Sequence, residues 1–79
     1  MKLTIVTPGS ALFTGECKLV QVPGTNGQFE ILDRHAPLIA LLGKGKIKVQ
    51  NADGKDTFFD IESGVVKVNK NKVVVLVNG

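Results

Sequence analysis

The stretch Lys46-Ile47-Lys48-Val49-Gln50 alternates polar and apolar at every residue, and this period dominates the chain; no segment sustains a helical face. Successive side chains of an extended strand leave on opposite faces, so Ile47 and Val49 turn inward and the lysines face water. The spacing predicts strands over 2–7, 11–13, 17–22, 28–32, 46–50, 56–62, 65–68 and 73–77. Between them, Pro8-Gly9-Ser10, Thr14-Gly15-Glu16, Pro23-Gly24-Thr25-Asn26-Gly27, Asn51-Ala52-Asp53-Gly54-Lys55 and Asn69-Lys70-Asn71-Lys72 carry turn chemistry. Asp53-Gly54 suits the positive φ angles of a tight hairpin, and Asn71 suits a left-handed conformation. Pro37 keeps Ala36 out of helical geometry. The apolar run 38–42 fits either one helical turn or a buried strand, and is read as a strand. Many short strands with closely spaced turns imply an all-β sandwich or flattened barrel, without linker or internal repeat.

With 79 residues the chain is one domain. A domain of this size buries only ~60% of the surface its unfolded chain exposes, so its stability alone is modest. Cys17 is the only cysteine and His35 the only histidine, which excludes an internal disulfide and falls short of a structural zinc site. A partner is then the expected supplement. The first residues lack the apolar run of a signal peptide, and no stretch approaches ~18 consecutive apolar residues. With a lone thiol, this points to a reducing, cytosolic compartment. The net charge of +3 is a mild excess that does not mark a nucleic-acid binder.

Val73-Val74-Val75-Leu76-Val77 is apolar at every position, and Phe58 and Phe59 are adjacent, so apolar side chains leave both faces of these strands. The outer face of a sandwich strand normally alternates to polar. Either a neighbouring loop covers the outward residues, or they form a patch that docks on another protein.

Reactive chemistry needs groups that converge. The carboxylates Glu16, Glu30, Asp33, Asp53, Asp56, Asp60 and Glu62 sit mostly at turns or outward strand positions, where solvation accounts for them. No nucleophile elbow, Walker or dinucleotide motif occurs. The loop Gly24-Thr25-Asn26-Gly27 is not followed by Lys-Ser/Thr, so it reads as a tight surface turn and not as a phosphate cradle. Lys44, Lys46 and Lys48 form a basic stripe, but with no Trp or Tyr it lacks stacking platforms and reads as a solvated face. His35 has no evident base or metal partner.

In order along the chain come Leu3-x-Ile5-Val6-Thr7-Pro8, Leu12-Phe13-x-Gly15-Glu16, Pro23-Gly24-x-x-Gly27-x-Phe29-x-Ile31-Leu32 and His35-Ala36-Pro37-Leu38-Ile39. Gly54 before Phe58-Phe59, Ser63-Gly64 and Val73-x-Val75-Leu76 complete the pattern. Together these resemble the epsilon-subunit family of bacterial F-type ATP synthases, counterparts of the mitochondrial delta subunit, over essentially the whole chain. The glycine loop followed by His-Ala-Pro-Leu is the specific part of the match.

The resemblance implies a ten-stranded flattened β-sandwich over 1–79 at the foot of the central stalk, packed on the gamma subunit and resting on the c-ring. It implies no catalytic residue, cofactor or metal, and a peripheral place on the cytoplasmic face of the bacterial inner membrane. Ring-facing positions map to Gly24, Thr25, Asn26, Gly27, Gln28, Phe29 and Glu30, with Asp33, Arg34 and His35. Gamma-facing positions map to Phe13, His35, Leu41, Leu42 and Phe59. Many relatives carry an acidic residue where Gln28 stands, Pro-Gly where Asp33-Arg34 stand, and an acidic residue where Lys67 stands. A further departure is the ending. Such relatives commonly continue into a helical hairpin that restrains ATP hydrolysis and in some senses ATP, whereas this sequence stops at Val77-Asn78-Gly79. Neither that inhibition nor nucleotide binding is therefore expected. Two other readings compete: a free-standing β-sandwich module for a peptide or anion, and a small nucleic-acid binder resting on the lysine stripe.

Overall fold

The computed structural model describes residues 1–78 and contains nine strands and no helix among them. They are β1 (Lys2–Thr7), β2 (Ser10–Glu16), β3 (Leu19–Gly24), β4 (Gly27–Leu32), β5 (Leu38–Leu42), β6 (Gly45–Gln50), β7 (Asp56–Ile61), β8 (Ser63–Asn69) and β9 (Lys72–Asn78). Hydrogen bonding runs β2-β1-β9-β8-β5-β3-β6-β7, with β4 attached to β3. All pairs are antiparallel except β1 with β9.

The path curls on itself because one side of every strand is apolar. Registers Ile5↔Val75, Val75↔Val66 and Val66↔Ala40 put one row on the concave side of the first layer, and Leu3↔Val73, Val73↔Val68 and Val68↔Leu38 put a second there. From the other layer, Val20, Val22, Ile31, Ile47, Val49 and Ile61 close over them, each at most 2% exposed. At the ends of the path, the Phe13 ring of β2 meets the Phe59 ring of β7 edge to face, with centroids 6.1 Å apart at 71°. No buried side-chain polar atom lacks a partner among the described residues.

The architecture is therefore all-β, with nine described strands where ten were expected. Strands β1 and β5 have the anticipated bounds. Thr14-Gly15-Glu16 is not a turn but the second half of β2, where the register Leu3↔Gly15 holds it extended. Between Ile5 and Val6 the register slips, leaving Leu12 as an extra residue in β2, a β-bulge. β3 starts at Leu19, two residues later than expected. The backbone N–H groups of Cys17 and Lys18 instead donate to Met1 O and Gln50 O, at 3.0 Å each. Of the expected loop Pro23–Gly27 only Thr25-Asn26 lie outside strands. Pro23 is tolerated in β3 because its missing N–H falls at a non-hydrogen-bonded pair with Gln28, and its carbonyl accepts from Gly43 N at 2.8 Å. The 51–55 loop is wider than a two-residue hairpin: only Gly54 has positive φ, and the Asn51 side chain accepts from both Asp53 N and Lys55 N at 3.0 Å.

Candidate docking surfaces

Outward side chains of the first layer follow from the same registers. Leu41 (β5), Val65 (β8), Leu76 (β9) and Val6 (β1) form one cross-strand row, and Ile39, Lys67, Val74 and Thr4 form the next. Ile39 is 71% exposed, Leu41 62% and Leu76 54%, so this face is apolar and open. Val6, Leu41, Val65 and Leu76 line a shallow groove of about 600 Å³ that also reaches Thr25 and Gly64. A Cβ on Gly64 would come 2.6 Å from the Leu76 carbonyl oxygen, so the close approach of β8 to β9 requires glycine there. The second layer presents a different outer surface. There Lys46 pairs with Asp60 at 2.8 Å and Gln50 with Asp56 at 3.1 Å, leaving Phe58 as an exposed aromatic opposite Lys48.

The β3–β4 hairpin projects beside the apolar face. Gly24 and Gly27 close it around Thr25-Asn26. A Cβ on Gly24 would lie 2.7 Å from Gly27 O, and Gly27 holds φ +126°, which favours glycine. Thr25, Asn26, Gln28 and Glu30 are exposed, while Phe29 is half-buried against the core. Thr25 N–H donates to Leu41 O at 3.1 Å, fastening the tip to the strand that carries the apolar row.

Asp33 and Arg34 lie beyond the other end of β4, a six-residue strand that spans about 17 Å, and so are farther than that along the chain from the tip. Asp33 Oδ1 accepts from the Met1 ammonium at 2.8 Å and from Asn71 Nδ2 at 3.0 Å. Asn71 Oδ1 accepts from Arg34 N at 2.7 Å, and Arg34 and Asn71 both take positive φ, 63° and 61°. The ammonium also donates to Cys17 O at 3.0 Å. The hydrogen bond to Asp33 raises the ammonium pKa above its usual range, and the same bond, then that from Asn71, lowers the Asp33 pKa. Burial pushes the Cys17 thiol up, away from a reactive thiolate. The His35 ring Nδ1 lies 2.7 Å from Ala36 O, a local contact.

The expected ring-facing residues therefore fall at two places: Gly24 to Glu30 at the hairpin tip, and Asp33, Arg34 and His35 at the far end of β4. Asp33 is engaged within the chain and does not share the tip. Of the expected gamma-facing residues, Leu41 lies on the open apolar face. Leu42 is 3% exposed and belongs to the core, because its register neighbour Gly64 and its parity turn it inward. Phe13 and Phe59 pack against the core, so the outward member of the phenylalanine pair is Phe58. Ile39, Val65 and Val6 were not among the residues expected to face gamma. Their signal is the five-residue apolar run of β5 and the doubly apolar β9 that they neighbour.

No three His, Cys, Asp or Glu side chains cluster in a metal-binding geometry among the described residues, and no helix is long and apolar enough to cross a membrane. A sequence profile for the beta-sandwich domain of the ATP synthase delta/epsilon chain matches residues 1–79. The chain is 43% identical to an ATP synthase epsilon chain from Sulfurovum sp. over 79 residues, covering all of this chain and 62% of that relative. It is 43% identical over 75 residues to an ATP synthase epsilon chain from Chlorobium limicola, covering 95% of this chain and 85% of the other. Among solved structures, a chain in the Euglena gracilis mitochondrial ATP synthase with its c-ring superposes with a TM-score of 0.89 at 21% identity, over 95% of this chain and 48% of that one. The chain thus spans about three fifths of the length of the first of these relatives.

Proposed function

The chain belongs to the beta-sandwich domain family of ATP synthase delta and epsilon chains, and from that premise we propose that it is a non-catalytic rotor part joining the gamma subunit to the c-ring. In this reading it turns with both and carries torque between proton flow at the membrane and nucleotide chemistry in the catalytic head. It acts from the cytoplasmic face of the bacterial inner membrane without entering the bilayer. The apolar face of β5, β8, β9 and β1 seats on gamma, and the β3–β4 tip from Gly24 to Glu30 meets the ring.

The observation that carries this reading is the open apolar row Leu41–Val65–Leu76–Val6. A docked protein removes such surface from water at ~25 cal/mol per Å². The hydrogen bond from Thr25 N to Leu41 O ties this row to the tip, so a push at one surface reaches the other through a rigid strand. The Euglena assembly that contains the structural counterpart includes a c-ring, which supports the same placement.

Co-purification tests it. The chain, expressed with the gamma subunit of the same organism, is expected to be recovered in a stoichiometric complex. The pair Leu41→Asp and Leu76→Asp should abolish recovery while the free domain keeps its β-sheet circular dichroism, because both side chains face outward. Failure of the unaltered chain to associate with gamma would end the reading.

A further inference from the structure

The apolar row fills only part of the outward face. Beyond it, Lys67 stands between Ile39 and Val74, and the last row is Asn69, Lys72 and Lys2. Lys70 sits in the turn joining β8 to β9, with φ 50°. Lys2, Lys67, Lys70 and Lys72 are all exposed, and none takes part in a salt bridge among the described residues. Glu16 stands opposite Lys2 in the register and Asp33 is hydrogen-bonded to Asn71 beside Lys70 and Lys72, and both acids face the Met1 ammonium, at 3.7 and 2.8 Å. The β6–β7 hairpin, by contrast, sets Lys46, Lys48 and Lys55 against Asp53, Asp56 and Asp60 and is balanced. Four exposed lysines without a salt-bridge partner among the described residues are thus gathered at one end of the apolar face.

A surface that is apolar at one end and cationic at the other selects its occupant by charge as well as shape. We propose that this face receives a protein segment with an apolar ridge for Leu41, Val65, Leu76 and Val6, and with carboxylates that meet Lys67, Lys70 and Lys72. Resting on the rotor reading above, the segment belongs to the gamma subunit. A lipid surface fits less well: the apolar part is a groove, not a plane, and the sequence has neither Trp nor Tyr to anchor at a headgroup boundary. Nucleic acid fits less well again. None of the four phenylalanines lies on this face: Phe13, Phe29 and Phe59 pack on the core and Phe58 lies outside the other layer.

The test measures affinity for purified gamma by interferometry at several salt concentrations. It compares the unaltered chain with a triple Lys67→Glu, Lys70→Glu, Lys72→Glu variant and with the Lys→Gln triple. The expected result is a loss of about tenfold or more for the Glu triple at low salt, a smaller loss for the Gln triple, and a flatter salt dependence for both. All three lysines are exposed, so thermal unfolding should be unchanged and serves as the fold control. Equal gamma affinity in all three chains would overturn this inference and leave the rotor reading standing. No gamma binding by the unaltered chain would overturn both. Lysine-dependent binding to vesicles containing phosphatidylglycerol, with gamma affinity unaffected, would assign the basic end to lipid and also overturn it.

Discussion

Phe58 and Phe59 are chemically identical and adjacent, yet strand parity gives them opposite environments. Phe59 stands opposite Ile47 in the register and packs on the core and on Phe13, whereas Phe58 stands opposite Lys48 and is 55% exposed. Phe59→Ala should therefore destabilise the free domain by about 2 kcal/mol or more, and Phe58→Ala by less than about 0.5 kcal/mol, as read from urea unfolding. Asp33 offers a second prediction, in pH. Its folded pKa is lowered, so its contribution is present above the ordinary carboxylate value and is lost as pH falls through the lower folded one. The Met1 ammonium pKa is raised, so its contribution is complete below the ordinary amine value of ~8 and is lost as pH rises through the higher folded one. Asp33→Asn should lower the melting temperature at neutral pH, and its deficit against the unaltered chain should shrink at both the acid and the alkaline ends. A deficit independent of pH would show that the ammonium–carboxylate pair does not set it.

Among the elements, the β8–β9 hairpin does most to shape the docking face. Its turn residues Lys70 and Asn71 both have positive φ, the signature of a two-residue hairpin whose twist matches its strands. Only Asn71 was anticipated there, since lysine has no particular preference for that region. At the other end of β8, Gly64 lets the strand approach β9 so closely that an added Cβ meets the Leu76 carbonyl. Backbone cannot move aside as a flexible side chain can. Gly64→Ala should therefore cost about 1–3 kcal/mol and raise hydrogen exchange along β8 and β9, measured by mass spectrometry. Strand β3 shows why local signals misplace boundaries. Leu19 to Gln21 pair with β6, and Gly24 pairs with Leu42 of β5, so the strand continues through Pro23 because it changes neighbours there.

For the whole molecule, the sandwich keeps its two sequence-predicted loop groups at opposite ends of β4. Single cysteines at Gln28 and at Lys70, carried in assembled complexes, distinguish those ends. Gln28→Cys should crosslink to cysteines in the ring loops and Lys70→Cys should not, read by immunoblot. The reverse pattern would turn the domain upside down in the stalk.

Alternation and turn residues alone determined that the chain is all-β and that β9 and the Phe58–Phe59 pair carry apolar groups on both faces. The uniformly apolar Leu38–Leu42, by contrast, fitted a helical turn or a strand until its pairing with β8 made it β5. The family motif was equally legible, because its glycines and His-Ala-Pro-Leu run lie close together in sequence. Tertiary structure decided which of two apolar faces is inside. Period two tells that Leu41 and Leu42 diverge, but only the pairing of β5 with β8 and the curl of the sheet bury Leu42 and expose Leu41. It also decided that Gly15 stays extended against Leu3 and that Asp33 turns to Met1 and Asn71, contacts across 12, 32 and 38 positions of sequence. Side-chain parity is a property of neighbouring residues. The direction of the core is a property of strands that meet only after the chain has folded.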